Sequence, residues 1–152
     1  MYNLRPLLLS DYYKNYLNLL KQLSVIEKKN TNYLEYAKTW FRYSNNKFHK
    51  IIVIEEEGEI IAQGTLFLEP KFIHNNEFVG HLEDIVVDKR YHNKGISKLI
   101  IEYLKQEAIK NNCYKIILSC KNNLIEYYSK FNFKTHEIQM RLDLEENFNQ
   151  QK

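Results

Sequence analysis

Two acids side by side inside an apolar run are the first residues here that could do chemistry. In "HLEDIVVDKRYHNKGISKLI", from His81 to Ile100, Glu83 and Asp84 interrupt a strand-like segment, and Gly95 stands between that segment and a helix-like one. Carboxylates in such a position can hold a cationic group or accept its proton. The backbone N–H groups of Asn93, Lys94, Gly95, Ile96, Ser97 and Lys98 precede or open the helix, where unpaired donors and the helix dipole suit a phosphate. A residue without a Cβ lets that phosphate approach the backbone, and Lys94 and Lys98 add charge.

The elements that must position these groups follow from periodicity. Tyr2 to Leu8 reads as a strand. "SDYYKNYLNLLKQL" reads as a helix capped by Ser10, with Tyr13, Tyr16, Leu17, Leu20 and Leu23 along it. A second helix, "NTNYLEYAKTWFRYSNN", has Asn30 or Thr31 as its cap, Leu34, Ala37 and Phe41 as its apolar face, and Asn45-Asn46 as its stop. "HKIIVIEEEGEIIAQGTLFLEP" reads as a hairpin turning at Glu57-Gly58. "EFVGHLEDIVV" is a strand, and Ile96, Leu99, Ile100, Tyr103, Leu104 and Ala108 mark a helix ending near Asn111-Asn112. "YKIILSC" is a strand, "NNLIEYYSKF" a helix capped by Asn122, and "KTHEIQMRLDL" a last strand before a polar tail from about residue 145.

This order predicts a mixed α/β fold: one domain over residues 1–152, with a largely antiparallel sheet, flanking helices and a parallel pair at its middle. The strand, helix and strand from Glu77 to Cys120 form the parallel unit, and Glu83, Asp84 and Gly95 fall where open α/β sheets bind ligands. Alternation along a regular strand puts Glu83 and Asp84 on opposite faces, one of them in apolar surroundings that disfavour ionisation. A local bulge, or a position at the strand's solvent end, accommodates the pair otherwise.

Composition narrows the function. The 152 residues carry a formal charge of +3 from 22 Lys and Arg against 19 Asp and Glu, scattered along the chain. That balance suits an anionic small molecule and argues against a nucleic-acid partner. Cys113 and Cys120 have no metal-ligand spacing and read as reduced core thiols, with no metal site implied. No stretch has the length of a signal peptide's core or a membrane span, so the expected location is cytoplasmic.

The segment from Glu83 to Ile101 resembles motif A of the GNAT acetyltransferase superfamily, with His92, Gly95 and Ser97 at its signature positions. Within that superfamily the whole chain is similar to the glucosamine-6-phosphate N-acetyltransferase family. The likeness rests on Lys71-Phe72-Ile73-His74, "GHLEDIVV", "NCYKIILSC", "YYSKFNF", the "QLS" at Gln22 to Ser24 and "IQMRL" around Arg141. The resemblance implies the GNAT fold and acetyl transfer from acetyl-CoA to the amine of glucosamine 6-phosphate, on the route to UDP-N-acetylglucosamine.

It also implies roles. Glu83 and Asp84 hold the sugar amine and take its proton, directly or through water. Ile85, Val86 and Val87 line the acetyl-pantetheine arm, Asn93 to Lys98 cradle the pyrophosphate, and Tyr128 protonates the leaving thiolate. Ser24, Lys71, Phe72, Ile73, His74, Ser119 and Arg141 are the further acceptor contacts. Ser119 replaces an acidic residue of the family and cannot act as a carboxylate base. Leu124 stands where an asparagine is usual, and Asn132 replaces a turn glycine. A homodimer is implied, with the C-terminal strand and Arg141 reaching the neighbour's site. Acetylation of another amine (peptide, polyamine or aminoglycoside) and a non-catalytic CoA-binding module are the alternatives.

Overall fold

A computed structural model describes residues 1–26 and 32–144. The chain packs as two compact units, 1–118 and 119–152, each taken by itself below. The first unit holds a five-stranded sheet in the order β1-β2-β3-β4-β5. The strands are β1 (Asn3–Pro6), β2 (His49–Glu56), β3 (Glu59–Pro70), β4 (Phe78–Val87) and β5 (Cys113–Ile117). All neighbours are antiparallel except the parallel pair β4 and β5. The helices of this unit are α1 (Tyr16–Leu20), α2 (Tyr33–Ser44) and α3 (Ile96–Lys110).

Local chemistry explains most of the boundaries. Glu57 and Gly58 both have positive φ, 50° and 82°, as the two-residue β2–β3 turn requires. The expected first helix is instead two pieces, a 3-10 turn over Leu9–Tyr13 and then α1. Asn15 between them is left-handed at φ 63°, and the Lys14 carbonyl turns away to accept from Ile60 N–H at 2.8 Å. Ser10 therefore lies inside the turn and does not cap it. Asn32 caps α2 through Oδ1, which accepts from Glu35 N–H at 3.0 Å; Asn30 and Thr31 lie outside the described residues.

The faces also differ from the expected stripes. Tyr36 and Ala37 are buried in α2, whereas Leu34 and Phe41 are exposed; Tyr13, Leu23 and Leu99 are exposed as well. Tyr36 gains a reason to face inward, because its hydroxyl donates to the Leu8 carbonyl at 3.0 Å. On the other side of the sheet Ile96, Ile100, Ile101, Leu104 and Ala108 of α3 are each 0–1% exposed. Burial of each large side chain there contributes about 1.5–3 kcal/mol. Gly64 of β3 makes this packing possible, since a Cβ would fall inside 3.0 Å of both Ile100 Cγ2 and Leu104 Cδ1.

A partly buried ion cluster joins β1, the first turn and β2. Asp11, fully buried, accepts from Arg5 Nη1 and Nη2 at 2.7 Å each and from Leu8 N–H at 2.8 Å. Arg5 and Lys14 also pair with Glu55.

The second unit contains a 3-10 turn at Asn122–Leu124 and α4 (Ile125–Ser129). Lys121 precedes the turn, so Asn122 is its first residue and not its cap. No strand forms over residues 134–144. Ile138, Met140, Leu142 and Leu144 keep the alternation that predicted one, yet are 93, 92, 80 and 60% exposed. A strand needs a partner ladder, and none is present for this segment among the described residues. Cys120 is exposed and Cys113 half-buried, so the core-thiol reading fails for Cys120.

Candidate active site

β4 carries the two acids, and its register explains how. Gln63 pairs with Val86 and Thr65 with Glu83, so Gly64 alone stands opposite Asp84 and Ile85. This is a bulge on β4, and Asp84 within it is left-handed at φ 51°. Regular alternation is thereby broken. Glu83 faces the side of Thr65, and the charge of Asp84 acts on Tyr16 and His49. Those two residues belong to the face covered by α1 and α2, the face that Glu83 shares through its pairing with Thr65. Both acids are exposed, which corrects the expectation of a carboxylate in apolar surroundings.

Several residues of this face were not singled out from the sequence. Gln63, 3% exposed, donates from Nε2 to the Asp84 carbonyl at 3.5 Å and accepts from Tyr16 Oη. His49 continues an aromatic row of Tyr43, His49, Phe67 and His81 across three strands. Burial holds the His49 imidazole below its ordinary value, against the opposing pull of Asp84. Burial, with Tyr36 and Asp84 assisting, pushes the Tyr16 phenol up. Only the odd-numbered pattern on β3 could have signalled Gln63, a polar residue among buried apolar ones. A cavity of about 410 Å³ between α1, α2 and the sheet lies on the same side, but neither acid lines it.

Beyond His81, β4 loses its parallel neighbour. β5 pairs with β4 only from Phe78 to His81, and no described strand covers that edge from Leu82 to Val87. Backbone groups of Ile85, Val86 and Val87 are thus offered to an extended, amide-bearing ligand. Immediately after this edge comes the turn to α3. Asn93 and Gly95 are left-handed at φ 62° and 77°, no side chain caps Gly95, and a Cβ there would meet nothing within 4 Å. The N-terminus of this 15-residue helix is therefore open to an anion. Lys98 is exposed, Lys94 Nζ lies 4.7 Å from the Tyr91 ring, and His92 Nε2 donates to the Val87 carbonyl at 3.0 Å, which ties the turn to the strand. Ile96 is 1% exposed, so only its backbone faces such a ligand.

Within the first unit the other expected contacts are not brought to the acids. Lys71 to His74 form the β3–β4 connection, and Glu83 lies five residues beyond Phe78, roughly 17 Å along the strand. Lys71 pairs with Glu69, which also receives His81 Nε2 at 2.9 Å. His74 stacks on Tyr114 at 4.3 Å, while Phe72 and Ile73 are 101 and 63% exposed. Gln22 accepts from Lys89 N–H at 3.0 Å, and Ser24 near it is exposed. In the second unit Ser119 is exposed, Arg141 pairs with Asp143 at 2.7 Å, and burial pushes the Tyr128 phenol up.

The chain that builds this bulged strand and open helix N-terminus matches the model of the Acetyltransferase (GNAT) family over residues 7–133. The chain belongs to the GNAT acetyltransferase family. Among its relatives, the glucosamine 6-phosphate N-acetyltransferase 1 of Dictyostelium discoideum is 36% identical over 92% of this chain and 89% of its own. The glucosamine 6-phosphate N-acetyltransferase of Candida albicans is 33% identical, over 91% of this chain and 93% of its own. The crystal structure of glucosamine-6-phosphate N-acetyltransferase from Arabidopsis thaliana superimposes with a TM-score of 0.89 at 34% identity, covering 95% of this chain and 99% of that one. The sheet and helices described above are those of the GNAT fold, as the motif-A resemblance implied. Among the described residues no helix is long and apolar enough to cross a membrane.

Proposed function

We propose that the chain transfers the acetyl group of acetyl-CoA to the amine of D-glucosamine 6-phosphate, with both substrates bound together. The observation that carries this reading is the adjacent exposed pair Glu83 and Asp84 at the β4 bulge, beside an edge that no described strand covers and ahead of the Gly95 turn. The residues fit acetyl-CoA. The free edge suits the amides of its pantetheine arm, and the open helix N-terminus with Lys98 suits its pyrophosphate. Acetyl-CoA supplies the activated acetyl group as a thioester.

The chain's own residues do the rest. Glu83 and Asp84 attract the ammonium form of the sugar and take up its proton, leaving the neutral nitrogen free to attack. A backbone N–H in Ile85 to Val87 is placed to donate to an oxygen that gains charge. Tyr128, whose phenol burial keeps protonated well into the alkaline range, delivers a proton to the departing sulfur. Ser119 has no charge to offer as a base, so the deprotonation falls to the β4 acids. The family match spans both units, which supports residues 1–152 acting as a single domain.

A homodimer completes the reading. Within one chain the Lys71–His74 loop is too far along β4 to reach an acceptor held by Glu83 and Asp84. The alternating exposed apolar residues of 138–144, with Arg141 among them, have the pattern of a strand that pairs with a neighbour. The location is cytoplasmic in this reading, and the product feeds UDP-N-acetylglucosamine synthesis. Thiol release from acetyl-CoA with glucosamine 6-phosphate, unphosphorylated glucosamine and a polyamine tests the acceptor. Turnover with the sugar phosphate above the other two is expected; preference for either of the others overturns it. Sedimentation at micromolar concentration as a monomer would overturn the dimer.

A further inference from the structure

The bulge that sets the relative direction of the two acids is not held by β4 alone. Gly64 offers one residue to two, so the ladder cannot satisfy every backbone group of Asp84 and Ile85. A partly buried carbonyl left out of the ladder gains from another donor. Gln63 Nε2 supplies that donor to the Asp84 carbonyl at 3.5 Å. The other end of the same amide, Oε1, accepts from Tyr16 Oη, so the hydroxyl on α1 fixes which way the amide points. Both side chains are closed off from water, at 3% and 4% exposure.

We propose that Tyr16 and Gln63 are positioning residues for the acceptor carboxylates, acting through the backbone of Asp84. Without the Tyr16 hydroxyl the amide is free to rotate, which brings Oε1 against the Asp84 carbonyl, acceptor against acceptor. Asp84 then has nothing to keep it at φ 51°, a conformation that side chains with a Cβ rarely adopt. Relaxation to a regular strand changes where the Asp84 carboxylate points relative to Glu83. The tie therefore decides whether the two carboxylates act on one ligand. It rests on the acceptor reading above for its effect on turnover, but not for its effect on the backbone.

The test uses Tyr16→Phe and Gln63→Leu in the full chain, with Tyr36→Phe as the control. Tyr36 is as buried as Tyr16 and its hydroxyl also makes one bond, to Leu8, away from the bulge. In each of the two test variants kcat with glucosamine 6-phosphate should fall on the order of ten- to a hundredfold. The KM for acetyl-CoA should stay as in the parent, and Tyr36→Phe should keep its kcat. Independently, the backbone amide resonances of Asp84 and Ile85 should move in both test variants and stay in place in the control. Parental kcat in both test variants, equal loss in the control, or unmoved Asp84 and Ile85 amides would overturn the proposal. Either test variant decides the matter if the other fails to fold. A parent protein inactive on the sugar phosphate would sink the acceptor reading, and the amide shifts would still decide the tie.

Discussion

Adding one methyl group at Gly64 tests how closely α3 must lie against the sheet behind the site. In Gly64→Ala the new Cβ would stand 2.9 Å from Leu104 Cδ1 and still nearer to Ile100 Cγ2. Carbon atoms pack best at about 3.5–4.0 Å, so the overlap exceeds half an ångström at one contact and is larger at the other. Neither side chain can swing clear, because both are 0% exposed. The helix must lift, at a cost of about 1–3 kcal/mol. For a chain of this length that is roughly 3–10 °C in Tm. The lift also moves the Gly95 turn away from the free edge of β4, so the KM for acetyl-CoA should rise. Thermal melting and steady-state kinetics measure the two effects. A second substitution sharpens the test: Ile100→Ala removes the clashing Cγ2, so the double variant should lose at least about 1 kcal/mol less than the sum of the singles. Strict additivity, or Gly64→Ala melting with the parent, would refute the packing argument.

Glu83→Gln and Asp84→Asn should each lower kcat by about 10²-fold or more at neutral pH; near-parental kcat in both across the pH range would remove the β4 acids from the mechanism. Gly95→Ala meets no steric barrier but holds alanine at φ 77°, so it should cost about 1 kcal/mol in denaturant titration and weaken acetyl-CoA binding measured by calorimetry. Asp11→Ala strips Arg5 of its two-pronged partner in a buried setting, and urea unfolding should show a loss of about 3 kcal/mol. Lys14 first, then Arg5, hold the Glu55 carboxyl below its ordinary value, so its stabilisation is complete above about pH 4.3 and is lost as pH falls through the lower folded value. Glu55→Gln should therefore flatten the stability profile below pH 4.3 while lowering its neutral plateau.

How much of this was legible depends on whether the cause is local. The Glu57-Gly58 turn, the span of α3 and the Gly95 turn follow from neighbouring residues and appear where the pattern put them, although Leu99 of the expected α3 face is exposed and Ile101 is buried. The Asp84 bulge does not. Nothing in "HLEDIVV" distinguishes a bulge from alternation; the decision lies with Gly64 and Gln63 on another strand, some twenty positions away. Likewise the break at Asn15 follows from a bond between Lys14 and Ile60. The segment 134–144 shows the converse failure. Its period of two is plain, but a strand is a relation between two segments, and residues 138–144 have only half of it.

The unpaired stretch of β4 has one more consequence. The six residues from Leu82 to Val87 present donors and acceptors that a bound pantetheine arm would satisfy as a sixth strand does. The same edge is a template for any extended chain, so the ligand-free protein carries a self-association hazard that an arm bound there would suppress. Saturation with CoA should then raise solubility as well as Tm, by mass action on the folded state. In this sense a pantetheine arm bound there would extend a sheet whose β4 edge no described strand covers.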